Sequence, residues 1–131
     1  MTSVKNLTAL QMTVMNVLWQ LGEATVAQVH AAVQEKRQLA LTTVATVLSR
    51  LEKYGLLSHR TEGRQYVYRP LVSRDEVRRS QLSNVVDHLF EGNPADLVYH
   101  LINEADVDDD DLARIGALIE SKEKENTNDS Q

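Results

Sequence analysis

Residues 39–70 read LALTTVATVLSRLEKYGLLSHRTEGRQYVYRP, a pattern that predicts one helix followed by a two-stranded ribbon. In the first part, apolar side chains recur every three or four positions, which is the spacing of one buried helix face. These side chains are Val44, Val47, Leu48 and Leu51. The helix is expected to begin between Ala40 and Thr42, and Gly55 is the residue type that commonly follows a helix end. One face of this helix should therefore be buried, and the other should be open.

The open face of this helix carries short hydroxylated side chains and basic ones. Its members are Thr42, Thr43, Thr46, Ser49, Arg50 and Lys53. After the helix, residues 56–60 and 65–69 are predicted to be strands, joined by a tip at residues 61–64 that can reverse the chain. Arg60 and Arg64 make this hairpin basic as well. A basic helix that leads into a basic hairpin is the plan of a winged helix.

Two further helices are predicted before this segment. Each begins with the spacing of a capping box, in which two side chains satisfy each other's free backbone amides: Thr8 with Gln11, and Thr25 with Gln28. Gly22 should end the first of these helices. Three helices and a hairpin in about seventy residues match the helix-turn-helix plan with a wing appended.

Charge divides the chain into two halves. The 131 residues are 42% hydrophobic, which is enough for one sizeable core or two small ones. Residues 1–72 hold eight Lys or Arg and four Glu, a net charge of +4, whereas residues 73–131 hold six basic and fifteen acidic residues, a net charge of −9. Such an asymmetry suggests that the first half meets a polyanion and that the second does not.

We therefore expect a mainly α protein with a small β-wing. A winged helix-turn-helix DNA-binding domain should span residues 1–72, a helical dimerisation domain residues 73–120, and a disordered polar tail residues 121–131.

The second half should form helices that pair with a second copy of the chain. Ser73 with Glu76 is another capping box, Gly92 should end the helix that follows, and Asn93–Pro94 can cap and start the next one. A region of fewer than 60 residues with few aromatics buries too little surface to be stable alone, so a two-fold homodimer is expected. The residues expected at its interface are Val77, Leu82, Val85, Val86, Leu89, Phe90, Leu97, Leu101, Leu112, Ile115 and Ile119.

The third helix has the right size to enter a DNA major groove about 12 Å wide. Four hydroxyl groups could reach base edges or phosphates, namely those of Thr42, Thr43, Thr46 and Ser49. Four cations could neutralise phosphates, namely Arg50, Lys53, Arg60 and Arg64. Because no Arg, Asn or Gln occurs early on this helix, we expect modest discrimination at each base pair.

The residue inventory argues against an enzyme, a cofactor or a metal site. The chain has no cysteine, which removes disulfides, thiolate ligands and cysteine nucleophiles. Its four histidines, at positions 30, 59, 88 and 100, are scattered, and no glycine-rich phosphate loop occurs. The acidic run at residues 108–111 lacks the glycine and the terminal glutamate of a calcium loop, and is expected to start a helix whose dipole stabilises carboxylates. We expect no catalytic residue, cofactor or metal ligand.

The sequence also indicates a cytoplasmic protein. No apolar run approaches the roughly 20 residues needed to span a bilayer, so no membrane insertion is expected. The first residues, MTSVKNLTAL, lack the uninterrupted hydrophobic core of a signal peptide.

Three stretches carry a resemblance to a known family: LTALQMTVMNVLW at residues 7–19, TTVATVLSRLEKYGLL at residues 42–57 and GRQYVYRP at residues 63–70. They resemble the penicillinase-repressor family, the BlaI/MecI type of winged-helix transcriptional regulators. The resemblance extends from about Leu7 to Ile119. Its most specific positions are Thr43, Thr46, Arg50, Leu51, Gly55, Gly63, Arg64, Tyr68 and Pro70.

The resemblance implies a homodimeric repressor that binds a palindromic operator, with the third helix in the major groove and the wing on the backbone. Thr43 and Thr46 match threonines of the family's recognition helix, so their role at DNA is carried over. Thr42 and Ala45 stand where well-known members have basic residues, so the operator sequence is not carried over.

The resemblance also bears on the inducing signal. Members respond when a membrane sensor protease system leads to cleavage of the repressor, and the Asn–Phe bond that is cut aligns here with His100–Leu101. Because neither residue of that pair is kept, cleavage at this position is not carried over. A copper-responsive branch uses C-terminal cysteine pairs, which this chain lacks, so copper sensing by that route is excluded.

Two other functions stay open at this point. One is a winged-helix module that holds a protein partner and binds no operator. A simple binding measurement distinguishes this module from a repressor. A repressor binds duplex DNA with an affinity that falls steeply with added salt, whereas the protein-binding module shows no duplex binding. The other is a regulator with a small-molecule pocket at the dimer junction, for which the sequence offers no convergent polar cluster.

Overall fold

The computed structural model describes residues 7–129 of the chain, with side chains for residues 7–127. Six helices and three short strands follow one another along these residues. They are α1 (Ala9–Leu21), β1 (Ala24–Thr25), α2 (Val26–Gln34), α3 (Leu41–Lys53), β2 (Leu57–Glu62), β3 (Gln65–Pro70), α4 (Arg74–Leu89), α5 (Pro94–Glu104) and α6 (Asp109–Asp129). The fold is therefore mainly helical with one small antiparallel sheet, as predicted. It divides into two compact units between Val85 and Val86, which we call the head and the C-terminal unit.

The predicted capping residues start their helices. At α1, the Gln11 backbone amide donates to Thr8 Oγ1 at 3.1 Å while the Thr8 amide donates to Gln11 Oε1 at 2.9 Å. The same reciprocal pair occurs at two later helix starts, between Thr25 and Gln28 and between Ser73 and Glu76. Each box satisfies two amides that a helix start would otherwise leave without a partner.

The core of the head lies between the three helices and the wing. Every buried side chain in the described residues falls between Val14 and Val77. The predicted inner face of α3 is buried in full, and α1 and α2 supply the facing side chains: Val14, Met15 and Leu18 from α1, and Val29 and Val33 from α2. On α1, Met15 takes a core position, whereas Leu21 at the end of the helix is 50% exposed. Because the core holds the inner face of α3, the opposite face of that helix points outward.

We expect Leu48→Ala to destabilise the head by about 2–5 kcal/mol, because it removes a fully buried side chain and leaves a cavity. The matched control is Leu21→Ala, the same substitution at a half-exposed position of α1, which should cost about 1 kcal/mol or less. Urea unfolding followed by circular dichroism measures both. Equal losses for the two variants would contradict this placement of the core.

The wing differs from its prediction in length and in strand number. The strands run in the order β1, β3, β2, and the last pair of the hairpin joins Glu62 to Gln65. The turn is therefore only Gly63–Arg64, shorter than the predicted tip of residues 61–64, and Gly63 takes a positive φ of 64° there. The third strand, β1, was not predicted. It has only two residues, which are too few to show the alternation of apolar and polar side chains that indicates a strand.

The first part of α4 belongs to the head, so the division between the units falls later than residue 72. Val77 is fully buried in the core of the head, and its assignment to the dimer interface is therefore wrong. Upstream of α4, the Trp19 indole Nε1–H donates to the Val72 carbonyl at 2.9 Å, and Trp19 packs against the core. The Leu7 amide donates to Gln81 Oε1 at 3.4 Å.

The C-terminal unit contains α5 and α6, and α6 continues further than the sequence indicated. Residues 121–129, predicted as part of a disordered tail, are helical. Lysine and glutamate are good helix formers, and Lys122 Nζ lies 3.6 Å from Glu125 Oε2 one turn away. Of the side chains described from Val86 to Thr127, none is buried. Residues 86–127 therefore form no enclosed core within a single chain.

No helix within residues 7–129 combines the length and the apolar character needed to cross a membrane.

Candidate nucleic-acid interface

The outer face of α3 is open to solvent along its whole length. All six predicted DNA-contact side chains on it are exposed: Thr42, Thr43, Thr46, Ser49, Arg50 and Lys53. The Thr46 hydroxyl donates to the Thr42 carbonyl at 2.9 Å, one turn back along the helix. This bond uses the hydroxyl hydrogen, so the exposed Thr46 side chain can offer its methyl group and can accept a hydrogen bond through its oxygen. Both suit a base edge, since a thymine offers a methyl group and cytosine or adenine offers an amino donor.

A shallow hollow follows this face toward the end of α3. It is lined by Ala45, Thr46, Ser49, Arg50 and Lys53. Arg50 and Lys53 lie in the last turn, where cations are favoured by the helix dipole. Among the side chains that the structure describes, none forms an ion pair with Arg50, Lys53 or Arg64. These three cations therefore keep their charge available for an anionic partner.

A second hollow joins three elements that the sequence could not place together. It is lined by Thr25, Val26, Ala27, Leu41, Arg64, Gln65 and Tyr66. The start of α2, the start of α3 and the wing turn thus meet, with Arg64 among them. Leu41 and Tyr66 are each 49% exposed. Neither residue was predicted to belong to this site, because their proximity depends on the pairing of β1 with β3.

Arg60, predicted to neutralise phosphate, is already paired. Its guanidinium donates to both carboxylate oxygens of Glu23, at 2.6 and 2.9 Å, and to Glu62 at 3.0 Å. The hydrogen bond with Arg60 lowers the pKa of the Glu23 carboxyl, and the two carboxylates raise the pKa of Arg60. Arg60 must give up these hydrogen bonds before it can contact a phosphate, so it is a weaker candidate for the DNA interface than Arg64.

His59 connects the wing to α3. Its Nδ1 lies 2.6 Å from Glu52 Oε2, and its ring stacks on Tyr66 with centroids 4.0 Å apart and an interplanar angle of 17°. Tyr68 lies next to it, 5.5 Å between centroids. Burial raises the pKa of the Tyr68 hydroxyl, with further contributions from the charges of Glu52 and Tyr66. Neither His59 nor Glu52 was predicted to belong to this site, because their contact depends on how the wing folds back on α3.

The remaining predicted dimerisation residues divide by exposure. Leu82, Val85, Leu89, Leu101, Leu112 and Ile119 are exposed, and Val86, Phe90, Leu97 and Ile115 are half-buried. Four further large hydrophobic side chains described in the C-terminal unit are exposed: Val98, Tyr99, Ile102 and Leu118. The exposed fraction is 71% for Leu89 and 70% for Leu118, which is high for side chains of this size.

The histidines and the acidic run have local roles. In the head, the Nε2 atom of His30 lies 2.8 Å from the Leu39 carbonyl. At the start of α6, the Asp111 amide donates to Asp108 Oδ1 at 2.8 Å, so this carboxylate caps the helix. The pKa of His100 is raised, first by its bond to the Asp96 carbonyl and then by the charges of Asp96 and Glu104. Within the described residues, no three His, Asp or Glu side chains are grouped as a metal site would require.

The amino-acid sequence matches one protein family and is similar to several known transcriptional regulators. The family model described as penicillinase repressor matches residues 7–121. The transcriptional regulator BlaI of Mycobacterium tuberculosis is 33% identical over 116 residues, covering 87% of this chain and 84% of that protein. The methicillin resistance regulatory protein MecI of Mammaliicoccus sciuri is 21% identical over 109 residues, covering 83% of this chain and 89% of that one.

Solved structures support the fold of the head. The DNA-binding domain of the repressor BlaI has 28% identity and a TM-score of 0.52, covering 58% of this chain and 93% of that one. A second solution structure shows the monomeric form of Bacillus licheniformis BlaI in complex with the blaP half-operator. It has 28% identity and a TM-score of 0.50, with the same coverage of both chains. The region that carries α3 and the wing is thus similar to a DNA-binding domain.

Proposed function

The chain belongs to the penicillinase repressor family, a family of DNA-binding transcriptional repressors, and we propose that it silences transcription by binding a palindromic operator as a homodimer. The observation that carries the proposal is the exposed face of α3, where threonines lie beside cations that have no ion-pair partner among the described residues. A surface of this kind offers hydrogen bonds to base edges and counter-charge to phosphates. The proposal concerns binding and requires no catalytic step.

The third helix would enter the major groove with its hydroxylated face toward the bases. Thr43 and Thr46 would contact base edges, and Thr42 and Ser49 would contact bases or nearby phosphates. Arg50, Lys53 and Arg64 would neutralise phosphates, with Arg64 acting from the wing turn. Threonine contacts give less discrimination than bidentate arginine or asparagine contacts, so DNA shape would contribute to the choice of site.

Pairing of two chains would cover the apolar surface of the C-terminal unit. Fully burying a Leu or Ile side chain stabilises by about 1.5–3 kcal/mol, and at least six such residues of this unit are substantially exposed. They are Leu89, Leu101, Ile102, Leu112, Leu118 and Ile119. A two-fold interface brings the same residues together from both chains, so one patch can bury itself. The acidic charge of this half would keep it away from DNA.

A two-fold dimer of this kind calls for two half-sites. Heads that read successive major grooves on one side of the duplex have half-sites about 10 base pairs apart, or a multiple of that. The relative from Bacillus licheniformis binds a half-operator in its monomeric form, which supports one head for each half-site. The order of bases in the operator would follow from Thr42 and Ala45 as much as from Thr43 and Thr46.

We do not extend the proposal to proteolytic induction or to a sensor protease partner. His100 and Leu101, the residues aligned with the family's cleavage position, lie within helix α5. A protease needs its substrate in an extended conformation, and the residue pair itself differs. Induction would then depend on another signal.

Duplex binding as a function of salt tests the proposed function. Three phosphate contacts in each head give six in a dimer, so log Kd should change with log salt with a slope of about 5. Affinity for a labelled 30-base-pair duplex should therefore fall by about a thousand-fold between 50 and 200 mM salt, measured by fluorescence anisotropy. No binding to any duplex at 50 mM salt would support a protein-interaction module and contradict a repressor.

A further inference from the structure

We propose that His59 is a positioning residue for duplex binding, which holds the Glu52 carboxylate against the wing and away from the DNA backbone. The inference rests on the proposed function and deepens it. It stands on a contact between two elements, because Glu52 lies in the last turns of α3 and His59 lies on β2. The two side chains meet at 2.6 Å and are 31% and 28% exposed.

Glu52 is the single acidic residue of α3, the helix proposed to enter the groove. It follows Ser49 by three positions and precedes Lys53, so it flanks the outer face that the hydroxyl groups and cations occupy. A carboxylate at this place repels phosphate unless it is turned aside and hydrogen-bonded. The structure shows it turned toward the wing.

The direction of the hydrogen bond follows from the chemistry of the acceptor. An ionised carboxylate only accepts, so Nδ1 of His59 must carry the hydrogen and donate it to Glu52 Oε2. The imidazole ring of His59 is held in place by two aromatic side chains of β3. It stacks on Tyr66 and lies beside Tyr68, which is its partner in the strand pairing. Donor and acceptor are therefore both fixed, one by the sheet and one by the helix.

Tyr66 extends this arrangement toward the wing turn. Its exposed ring also lines the hollow that contains Arg64, two residues away. The stack of His59 on Tyr66 thus links the Glu52 carboxylate to the part of the wing that carries a proposed phosphate contact. Two separate contributions of His59 can be distinguished, the hydrogen bond to Glu52 and the stack on Tyr66.

Substitutions at the two positions separate these contributions. His59→Phe keeps a ring on Tyr66 but cannot donate to Glu52, and should weaken duplex affinity by roughly five-fold. His59→Asn places an amide donor where Nδ1 was and removes the stack, and should bind within about two-fold of the original chain. Glu52→Gln removes the negative charge and should bind equally or more tightly. In the double variant the new phenyl ring would face a neutral side chain, so His59→Phe with Glu52→Gln should regain the affinity of Glu52→Gln alone.

The measurements are duplex affinity at 100 mM salt by anisotropy, urea unfolding, and the NMR shifts of the Tyr66 ring protons. The Tyr66 signals should move in His59→Asn, where the stack is removed, while its duplex affinity is kept. A merely structural role of His59 predicts the opposite pattern, in which affinity follows the free energy of unfolding and the double variant is not rescued.

Three results would overturn the inference: unchanged affinity for His59→Phe, a double variant as weak as His59→Phe, or weaker binding by Glu52→Gln. The last result can be obtained even if His59→Phe does not fold. Each of them leaves the proposed function standing, because operator binding is contradicted by the unaltered chain binding no duplex and not by any result for these variants.

Discussion

Replacing both Arg50 and Arg64 by alanine is expected to weaken duplex affinity by about a hundred-fold or more at 50 mM salt. Each is an exposed cation with no ion-pair partner among the described side chains, one at the end of α3 and one in the wing turn. An exposed ion pair contributes up to about 1 kcal/mol, so the four phosphate contacts that the double substitution removes from a dimer account for about 3–4 kcal/mol. The slope of log Kd against log salt should shrink by about 0.9 for each phosphate that is no longer neutralised, or about 3.6 in all.

Arg114→Ala with Lys122→Ala provides the matched control for this pair. It removes the same charge from each chain, but from α6 of the C-terminal unit. It should leave both the affinity and the salt slope nearly unchanged. If the control variant is weakened as much as Arg50→Ala with Arg64→Ala, net charge alone governs binding, and the assignment of the DNA-binding surface to α3 and the wing is wrong.

Replacing Leu101 and Ile119 by aspartate is expected to convert the dimer to a monomer. Each position is about half-exposed in the single chain, on the apolar faces of α5 and α6. Burying the exposed half of four such side chains in a dimer contributes about 3 kcal/mol or more, and each carboxylate in their place adds a desolvation cost. The dissociation constant of the dimer should therefore rise by at least about a thousand-fold.

Asn103→Asp with Ala117→Asp is the control for this second prediction. It adds the same two charges to the same helices, away from the apolar faces. Sedimentation at micromolar concentration should give a mass near 14.8 kDa for Leu101→Asp with Ile119→Asp and twice that mass for the control. The monomer should still bind a duplex through its single head, but far more weakly. An unaltered chain that sediments as a monomer would contradict the dimer.

Local signals in the sequence predicted most of the head. Capping boxes such as Thr8 with Gln11 act within one helical turn, and the spacing of Val44 and Leu48 reports a buried face directly. Both signals lie in neighbouring residues, so a single sequence suffices to recognise them. The continuation of α6 beyond residue 121 was not predicted, because a polar composition is typical of disordered segments, although Lys and Glu also favour helices.

The candidate site was predictable only in part, because several of its contacts join distant residues. The outer face of α3 follows from helical spacing, whereas the pairing of Arg60 with Glu23 spans 37 positions. The contact between His59 and Glu52 depends on how the wing folds back on α3. The burial of Val77 could not be predicted for the same reason. An apolar side chain suits a core or a dimer interface equally well, and only the fold decides between them.

All buried side chains described in this chain lie between Val14 and Val77, so recognition of DNA and choice of partner would be encoded by separate sets of residues. After a gene duplication, substitutions such as those at Leu89 or Leu118 could stop two sister proteins from mixing, without any cost to the stability of their heads. The reverse also holds, because a changed threonine on α3 would redirect a repressor to other genes while leaving its pairing intact. In an architecture of this kind, DNA recognition and the choice of dimer partner can therefore evolve independently in duplicated regulators.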